Sequence, residues 1–135
     1  MGIVCGEFMF EIVMRILVVD DVKIVRACLR DLLADHVEIC GEAENGKQAV
    51  DLVRSLHPDV VLIDITMPVM DGLRATVEIR RIAPSTKVVL FSINDGPEAQ
   101  SAANMVGAHA FVSKSCLAAA MLPTLQKVGS DAFPN

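Results

Sequence analysis

The feature that most constrains this chain is an alternation between two hydrophobic periods. Short apolar runs at Ile16–Val19, Val37–Cys40, Val60–Ile63, Val88–Phe91 and Ala110–Val112 are separated by longer segments with helical spacing. Runs this short and this rich in Val and Ile predict strands buried on both faces, as in a parallel sheet covered by helices. Between them, Val25, Cys28, Leu29 and Leu32 fall at i, i+3, i+4 and i+7, and so do Ala49, Leu52, Val53 and Leu56. Leu117, Met121, Leu125 and Val128 form a similar stripe in the last segment. Such stripes predict helices that press one face onto the sheet.

The punctuation agrees with this division. Asn45-Gly46 precedes the second helical segment and Pro58 follows it; Asp71-Gly72 opens the third and Pro84 closes it. Pro97 and Gly107 bracket a fourth whose inner face offers little beyond Ala99, Ala102, Ala103 and Val106. Pro123 lies inside the fifth and is expected to kink it or end it early. Five strands alternating with five helices predict a single doubly wound α/β domain with right-handed crossovers. Met14 followed by Arg15-Ile16-Leu17-Val18-Val19-Asp20-Asp21 reads as a domain start, giving an extension at 1–13, a domain at 14–128 and a short tail at 129–135.

A chain of 135 residues suits one compact domain, and 53% apolar against 21% charged residues suits a folded one. The net charge of -5, with no basic cluster to offset it locally, disfavours direct contact with nucleic acid or an anionic membrane. Glu7, Glu11 and Arg15 interrupt the apolar stretch from Ile3 to Val19, so it cannot supply a membrane span, and Met1–Phe10 lacks the basic residues of a secretory signal. Cys5, Cys28, Cys40 and Cys116 form no C-x-x-C pair, and His36, His57 and His109 add no metal-ligand spacing. The cysteines are expected to be reduced thiols acting as small hydrophobes in a cytoplasmic protein.

In a doubly wound sheet the residues just past the carboxyl ends of the strands converge on one edge. Those positions hold Asp20 and Asp21 after the first strand, Asp64 at the end of the third, Ser92 at the end of the fourth and Lys114 at the end of the fifth. Three carboxylates sharing a rim repel one another unless a cation intervenes. Mg²⁺ prefers oxygen ligands and combines one or two carboxylates with phosphate oxygen, so the cluster predicts a Mg²⁺ site with room for a phosphoryl group. An Asp oxygen can attack phosphorus to give an acyl phosphate. Lys114 would neutralise charge on the group in transfer, and the Ser92 hydroxyl would hydrogen-bond one of its oxygens. Each residue alone has a plainer reading: Asp20 and Asp21 as helix-capping acids, Asp64 as the start of a turn, Ser92 as a turn hydroxyl, Lys114 as a solvated lysine, Phe111 as core.

At these residues the chain resembles the receiver domains of two-component response regulators, with their CheY-like fold. The resemblance covers about Arg15 to Val128 and is carried by ILVVDD at 16–21, DITMPVMDG at 64–72, VVLFS at 88–92 and AFVSK at 110–114. EAENG at 42–46 and VGA at 106–108 are similar to the subfamily whose receivers precede a helix-turn-helix DNA-binding domain. The resemblance implies the strand order 2-1-3-4-5 and makes Asp64 the phospho-acceptor. It makes Asp21 the direct acidic metal ligand with Asp20 assisting through water, and gives the carbonyl of Thr66 to the metal. Ser92 becomes the switch hydroxyl, Lys114 the phosphate-pairing lysine, and Phe111 the aromatic that swings inward on switching.

The implied partners are a histidine kinase or phosphotransfer protein as donor and a downstream protein as target, with a phosphorylation-dependent dimer as one form the output could take. The chain departs from the family at Ile93, Thr66, Asn94 and Ser115, as well as at Pro123 in the last helix. Ile93 is bulky where a small residue is usual and should slow phosphoryl entry and hydrolysis. Thr66 and Asn94 hold positions that tune hydrolysis, and Ser115 replaces the proline common after the lysine. Within the same fold, a phosphoryl sink and the severed receiver half of a transcription factor are alternatives. A haloacid-dehalogenase-like phosphatase is disfavoured because Thr66 stands where its second Asp would be. A flavodoxin is disfavoured because Asp20-Asp21-Val22-Lys23 would repel a cofactor phosphate in the absence of metal.

Overall fold

The computed structural model describes residues 14–132. The expected extension at 1–13 lies outside the described residues. Within them, β1 (Arg15–Val19), α1 (Lys23–Leu33), β2 (Glu38–Ala43), α2 (Gly46–Leu56), β3 (Val60–Asp64), α3 (Gly72–Ile82), β4 (Lys87–Ser92), α4 (Pro97–Met105), β5 (Ala110–Ser113) and α5 (Leu117–Ala132) alternate without exception. All strand pairings are parallel, in the order β2-β1-β3-β4-β5.

Strand alternation sends successive side chains to opposite faces and so builds two cores. Leu17, Val19, Val61, Ile63, Val88 and Leu90 pack with Ala49 and Val53 of α2, Ala75 and Ile79 of α3 and Ala103 of α4. Ile16, Val18, Val60, Leu62, Val89, Phe91 and Val112 pack on the other side with Leu29 and Leu33 of α1 and Met121, Leu125 and Val128 of α5. Each fully buried aliphatic side chain contributes roughly 1.5–3 kcal/mol, so the sheet's two-sided burial dominates the fold.

Turn chemistry fixes where helices begin. Asn45 and Asp71 cap α2 and α3, their side-chain oxygens accepting the backbone N–H groups of Gln48 (2.9 Å) and Arg74 (2.8 Å). Pro97 starts α4, and Gly107 follows it at φ 82°.

Four expectations need correction. Cys28 is exposed, and Leu33 takes its place in the buried stripe of α1 beside Leu29. Cys116 is also exposed and Cys40 half-buried, so these thiols are not core hydrophobes. β2 runs to Ala43, beyond the apolar run Val37–Cys40, because it is an edge strand whose Gly41 and Glu42 carry no apolar signal. Pro123 does not end α5, which continues to Ala132. A proline in a helix interior costs about 3 kcal/mol, and the burial of Met121, Leu125 and Val128 offsets it.

Candidate functional site

Three strand tips meet at one corner of the sheet. Asp64 ends β3 and is 5% exposed, while Asp20, the first residue after β1, is 0% exposed. Asp21 follows it and faces solvent. One oxygen from each of these carboxylates lies within 4.8 Å of the other two. Lys114 reaches in from the end of β5, its Nζ 2.8 Å from Asp20 Oδ2 and 3.2 Å from Asp64 Oδ2, with the ammonium 5.2 Å above the ring of Phe91. An open pocket of about 400 Å³ lies over the cluster, lined by Asp21, Val22, Asp64, Thr66, Ser92, Ile93, Asn94 and Lys114.

Local structure holds these groups. Asp20 does not cap α1; its Oδ1 accepts the N–H of Val22 at 2.8 Å, and the helix begins on Val22 without a side-chain cap. Arg26 donates to the main-chain carbonyl of Asp20 at 2.7 Å and pairs with Glu42 of β2 at 3.0 Å, pinning the β1–α1 loop to the sheet edge. Beyond Asp64 the chain turns sharply. Gly72 N–H returns to the carbonyl of Ile65 at 2.8 Å, and a Cβ on Gly72 would stand 2.1 Å from the carbonyl oxygen of Asp64. Only glycine lets α3 start this close to the strand that ends in Asp64. In the same loop Met70 N–H bonds the carbonyl of Pro68 around Val69, a β-branched residue held at φ 70°. Ser92 is 4% exposed, and its Oγ accepts the N–H of Asn94 at 3.1 Å.

The electrostatics are unbalanced. Burial, followed by the neighbouring charge of Asp20, pushes the Asp64 carboxyl above its ordinary pKa, and Lys114 only partly opposes this. Burial alone would lower the Lys114 ammonium, yet its hydrogen bond to Asp20 and the charges of Asp64 and Asp20 outweigh that and raise it. The two directions are compatible because Lys114 leans toward Asp20, the nearer partner, leaving Asp64 to bear its own desolvation. Asp20 Oδ2 is buried with the Lys114 ammonium as its ion-pair partner and accepts no other hydrogen bond. Three carboxylates against one ammonium leave a formal charge of -2, which one divalent cation cancels. A hard all-oxygen donor set and this excess charge fit Mg²⁺.

Residues 16–126 match the family model of the response regulator receiver domain. The chain belongs to that family. The receiver is 36% identical over 115 residues to the chemotaxis protein CheY of Thermotoga maritima, an alignment spanning 84% of this chain and 96% of the relative. It is 42% identical over 106 residues to a protein-glutamate methylesterase/protein-glutamine glutaminase of Methanosarcina acetivorans, spanning 76% of this chain but 30% of that longer protein. Among solved structures it superposes on a two-component response regulator of the LuxR family from Aurantimonas with a TM-score of 0.84 at 29% identity, covering 88% and 86% of the two chains. The response regulator domain of Thermotoga maritima CheB superposes with a TM-score of 0.78 at 29% identity, covering 91% and 98%. Receivers are signalling switches of two-component systems, and members of the family typically bind Mg²⁺.

Of the residues singled out from sequence, the receiver brings together Asp20, Asp21, Asp64, Thr66, Ser92 and Lys114. Thr66 lies exposed on the pocket wall, its N–H 3.4 Å from Asp64 Oδ1. Phe111 is not on that wall; it sits half-buried on β5, packed against the core that faces α2 and α3. Sequence reasoning missed Arg26 and Glu42, whose pairing across 16 residues has no local signature. It also missed Val22 as a lining residue and the contacts of Asp95 and Ser113 described below.

Proposed function

We propose that Asp64 accepts a phosphoryl group from a histidine kinase or phosphotransfer protein, and that this changes which protein the α4–β5–α5 face binds. The observation that carries the reading is that Asp20, Asp21 and Asp64 cluster within 4.8 Å and Lys114 pairs with two of them, Asp20 and Asp64, at one open pocket. In the transfer an oxygen of Asp64 bonds to phosphorus as the P–N bond to the donor histidine breaks, and the imidazole leaves with the bonding pair and takes a proton. Asp20, Asp21, Asp64 and the Thr66 carbonyl would hold Mg²⁺, which when bound neutralises charge on the phosphoryl oxygens. The Lys114 ammonium balances the charge of the new acyl phosphate, and Ser92 turns its hydroxyl proton toward a phosphoryl oxygen. Hydrolysis of the acyl phosphate resets the switch, so the chain catalyses only its own modification. Ile93, 79% exposed on the pocket wall, narrows the approach of donor and of hydrolytic water.

Phe111, half-buried on β5, is the side chain assigned to follow Ser92 inward. From Ala99 to Gln126, Lys114 is the sole Lys, Arg, Asp or Glu, and within α4, β5 and α5 only Glu98, Lys127 and Asp131 are charged, so these elements are poor in ionic charge and have no basic cluster. Such a face, with Met105 84% exposed, favours a protein partner, including a second phosphorylated copy, over nucleic acid. No helix among the described residues is long and apolar enough to cross a membrane, and a kinase-fed switch of this kind belongs in the cytoplasm.

The test is incubation with acetyl phosphate, with Mg²⁺ or with EDTA, read by intact mass. Wild type should gain one phosphoryl group only with Mg²⁺, and Asp64→Asn none. Stoichiometric label in the variant, or in EDTA, would overturn the assignment.

A further inference from the structure

Lys114 reaches the carboxylates from a loop that contains no proline and is flanked by two serines, Ser113 and Ser115. Ser113 Oγ accepts the backbone N–H of Ser115 at 3.2 Å and lies 2.7 Å from Ser115 Oγ. One hydroxyl therefore closes the chain around Lys114 and opens the short 3-10 turn Lys114–Cys116. Its own proton points elsewhere, to Asp95 Oδ2 at 2.7 Å. A hydroxyl has one proton and two lone pairs, and this arrangement uses all three.

Asp95 belongs to the β4–α4 loop, three residues after Ser92. That loop is folded on itself by the Asn94 N–H on Ser92 Oγ at 3.1 Å and the Gly96 N–H on Asn94 Oδ1 at 3.5 Å. The Asp95–Ser113 bond thus ties the loop that follows Ser92 to the end of β5, from which Lys114 enters the same pocket. Its acceptor is a carboxylate, but the bond is exposed and water screens the charge, so what the tether needs is an acceptor at that position.

We propose that Asp95 and Ser113 are positioning residues for phosphoryl transfer. Asp95 orients the Ser113 hydroxyl, and that hydroxyl fixes the backbone on both sides of Lys114. The ammonium is then held within reach of both Asp20 and Asp64 before the donor arrives. This rests on the reading of Asp64 as acceptor. Neither residue touches the reacting atoms, so each acts through Lys114.

The experiment follows the rate of labelling by acetyl phosphate at saturating Mg²⁺ in wild type, Asp95→Ala, Asp95→Asn, Ser113→Ala, Ser113→Thr and the Asp95→Ala/Ser113→Ala double variant. Amide hydrogen exchange at Ser115 is measured in the same proteins unlabelled. Asp95→Ala and Ser113→Ala should each slow labelling by about three- to tenfold, the range for loosening, not removing, an oriented group. The double variant should be no slower than the slower single, since both act on one tether. Asp95→Asn and Ser113→Thr, which keep an acceptor and a hydroxyl, should stay within about twofold of wild type. The Ser115 amide should exchange faster in Ser113→Ala and Asp95→Ala.

Wild-type rates in both alanine variants, multiplying losses in the double variant, or an Asp95→Asn as slow as Asp95→Ala would overturn the inference; the last would mean that charge alone matters. Should wild type take no label, the acceptor reading fails by itself, and unchanged Ser115 exchange in both alanine variants would still overturn the tether.

Discussion

Replacing the proposed phospho-acceptor should make the fold more stable. Asp64 shares its corner with Asp20 and Asp21, one oxygen of each within 4.8 Å of the others. At an effective dielectric of about 20, a pair of charges at that separation repels by roughly 3.5 kcal/mol, whereas an ammonium at the Lys114 distance returns roughly 5 kcal/mol. Asp21 is exposed and its share is screened, so attraction and repulsion nearly cancel and burial decides the sign. That is also the direction of the Asp64 pKa, raised first by desolvation and then by Asp20.

A raised carboxyl pKa means that the native state holds the proton more tightly than the unfolded chain does. Stability therefore falls as pH climbs from the ordinary aspartate range through the higher folded value. Asp64→Asn lacks that fall and should be the more stable protein at neutral pH without divalent cations. Urea denaturation in EDTA at low ionic strength, followed by far-UV circular dichroism because the chain has no Trp or Tyr, measures the difference. Adding Mg²⁺ should reverse the ranking, because a cation that binds only the native site stabilises wild type by mass action and the variant much less. A metal-free Asp64→Asn less stable than wild type by about 1 kcal/mol or more would mean that the Lys114 attraction dominates, and the reasoning would fail.

Three further outcomes are expected. Gly72→Ala puts a methyl group 2.1 Å from the Asp64 carbonyl; it should cost about 1–3 kcal/mol in urea denaturation and slow acetyl phosphate labelling, since the acceptor strand must move. Val69→Asn relieves a β-branched residue at φ 70° on an exposed turn and should raise stability by about 1 kcal/mol with labelling unchanged. The hydrogen bond from Arg30, with help from Arg26, holds the Glu42 carboxyl below its usual range, so its contribution is present at neutral pH and fades as pH falls through the folded value. Glu42→Gln should flatten the acid limb of the stability curve by about 1 kcal/mol or less, because the pair is partly exposed.

Much of this architecture is legible in the sequence because two-sided burial writes a continuous apolar run. Val60–Ile63 and Val88–Phe91 have no polar interruption, and they form the centre of the sheet. Edge strand β2 is less legible: only one neighbour covers it, so Glu42 stays exposed, and Gly41 leaves room for Leu56, whose side chain a Cβ would meet at 2.8 Å. Cys28 and Leu33 lie on opposite flanks of Leu29, about 140° apart around α1, and the apolar character of both left open toward which flank the buried stripe turns. At the candidate site, the strand-end positions of Asp20, Asp21, Asp64, Ser92 and Lys114 follow from topology, which is why a linear reading finds them. Arg26 with Glu42, and Asp95 with Ser113, are pairings between elements distant in sequence, and only the folded chain brings them together.

The most direct measurement is reductive trapping. Wild type is labelled with acetyl phosphate and Mg²⁺, treated with borohydride, and sequenced by tandem mass spectrometry. Borohydride converts an acyl phosphate on aspartate to homoserine, so homoserine is predicted at residue 64 and nowhere else. Homoserine at residue 20 or 21, or an unconverted residue 64 in fully labelled protein, would contradict the account.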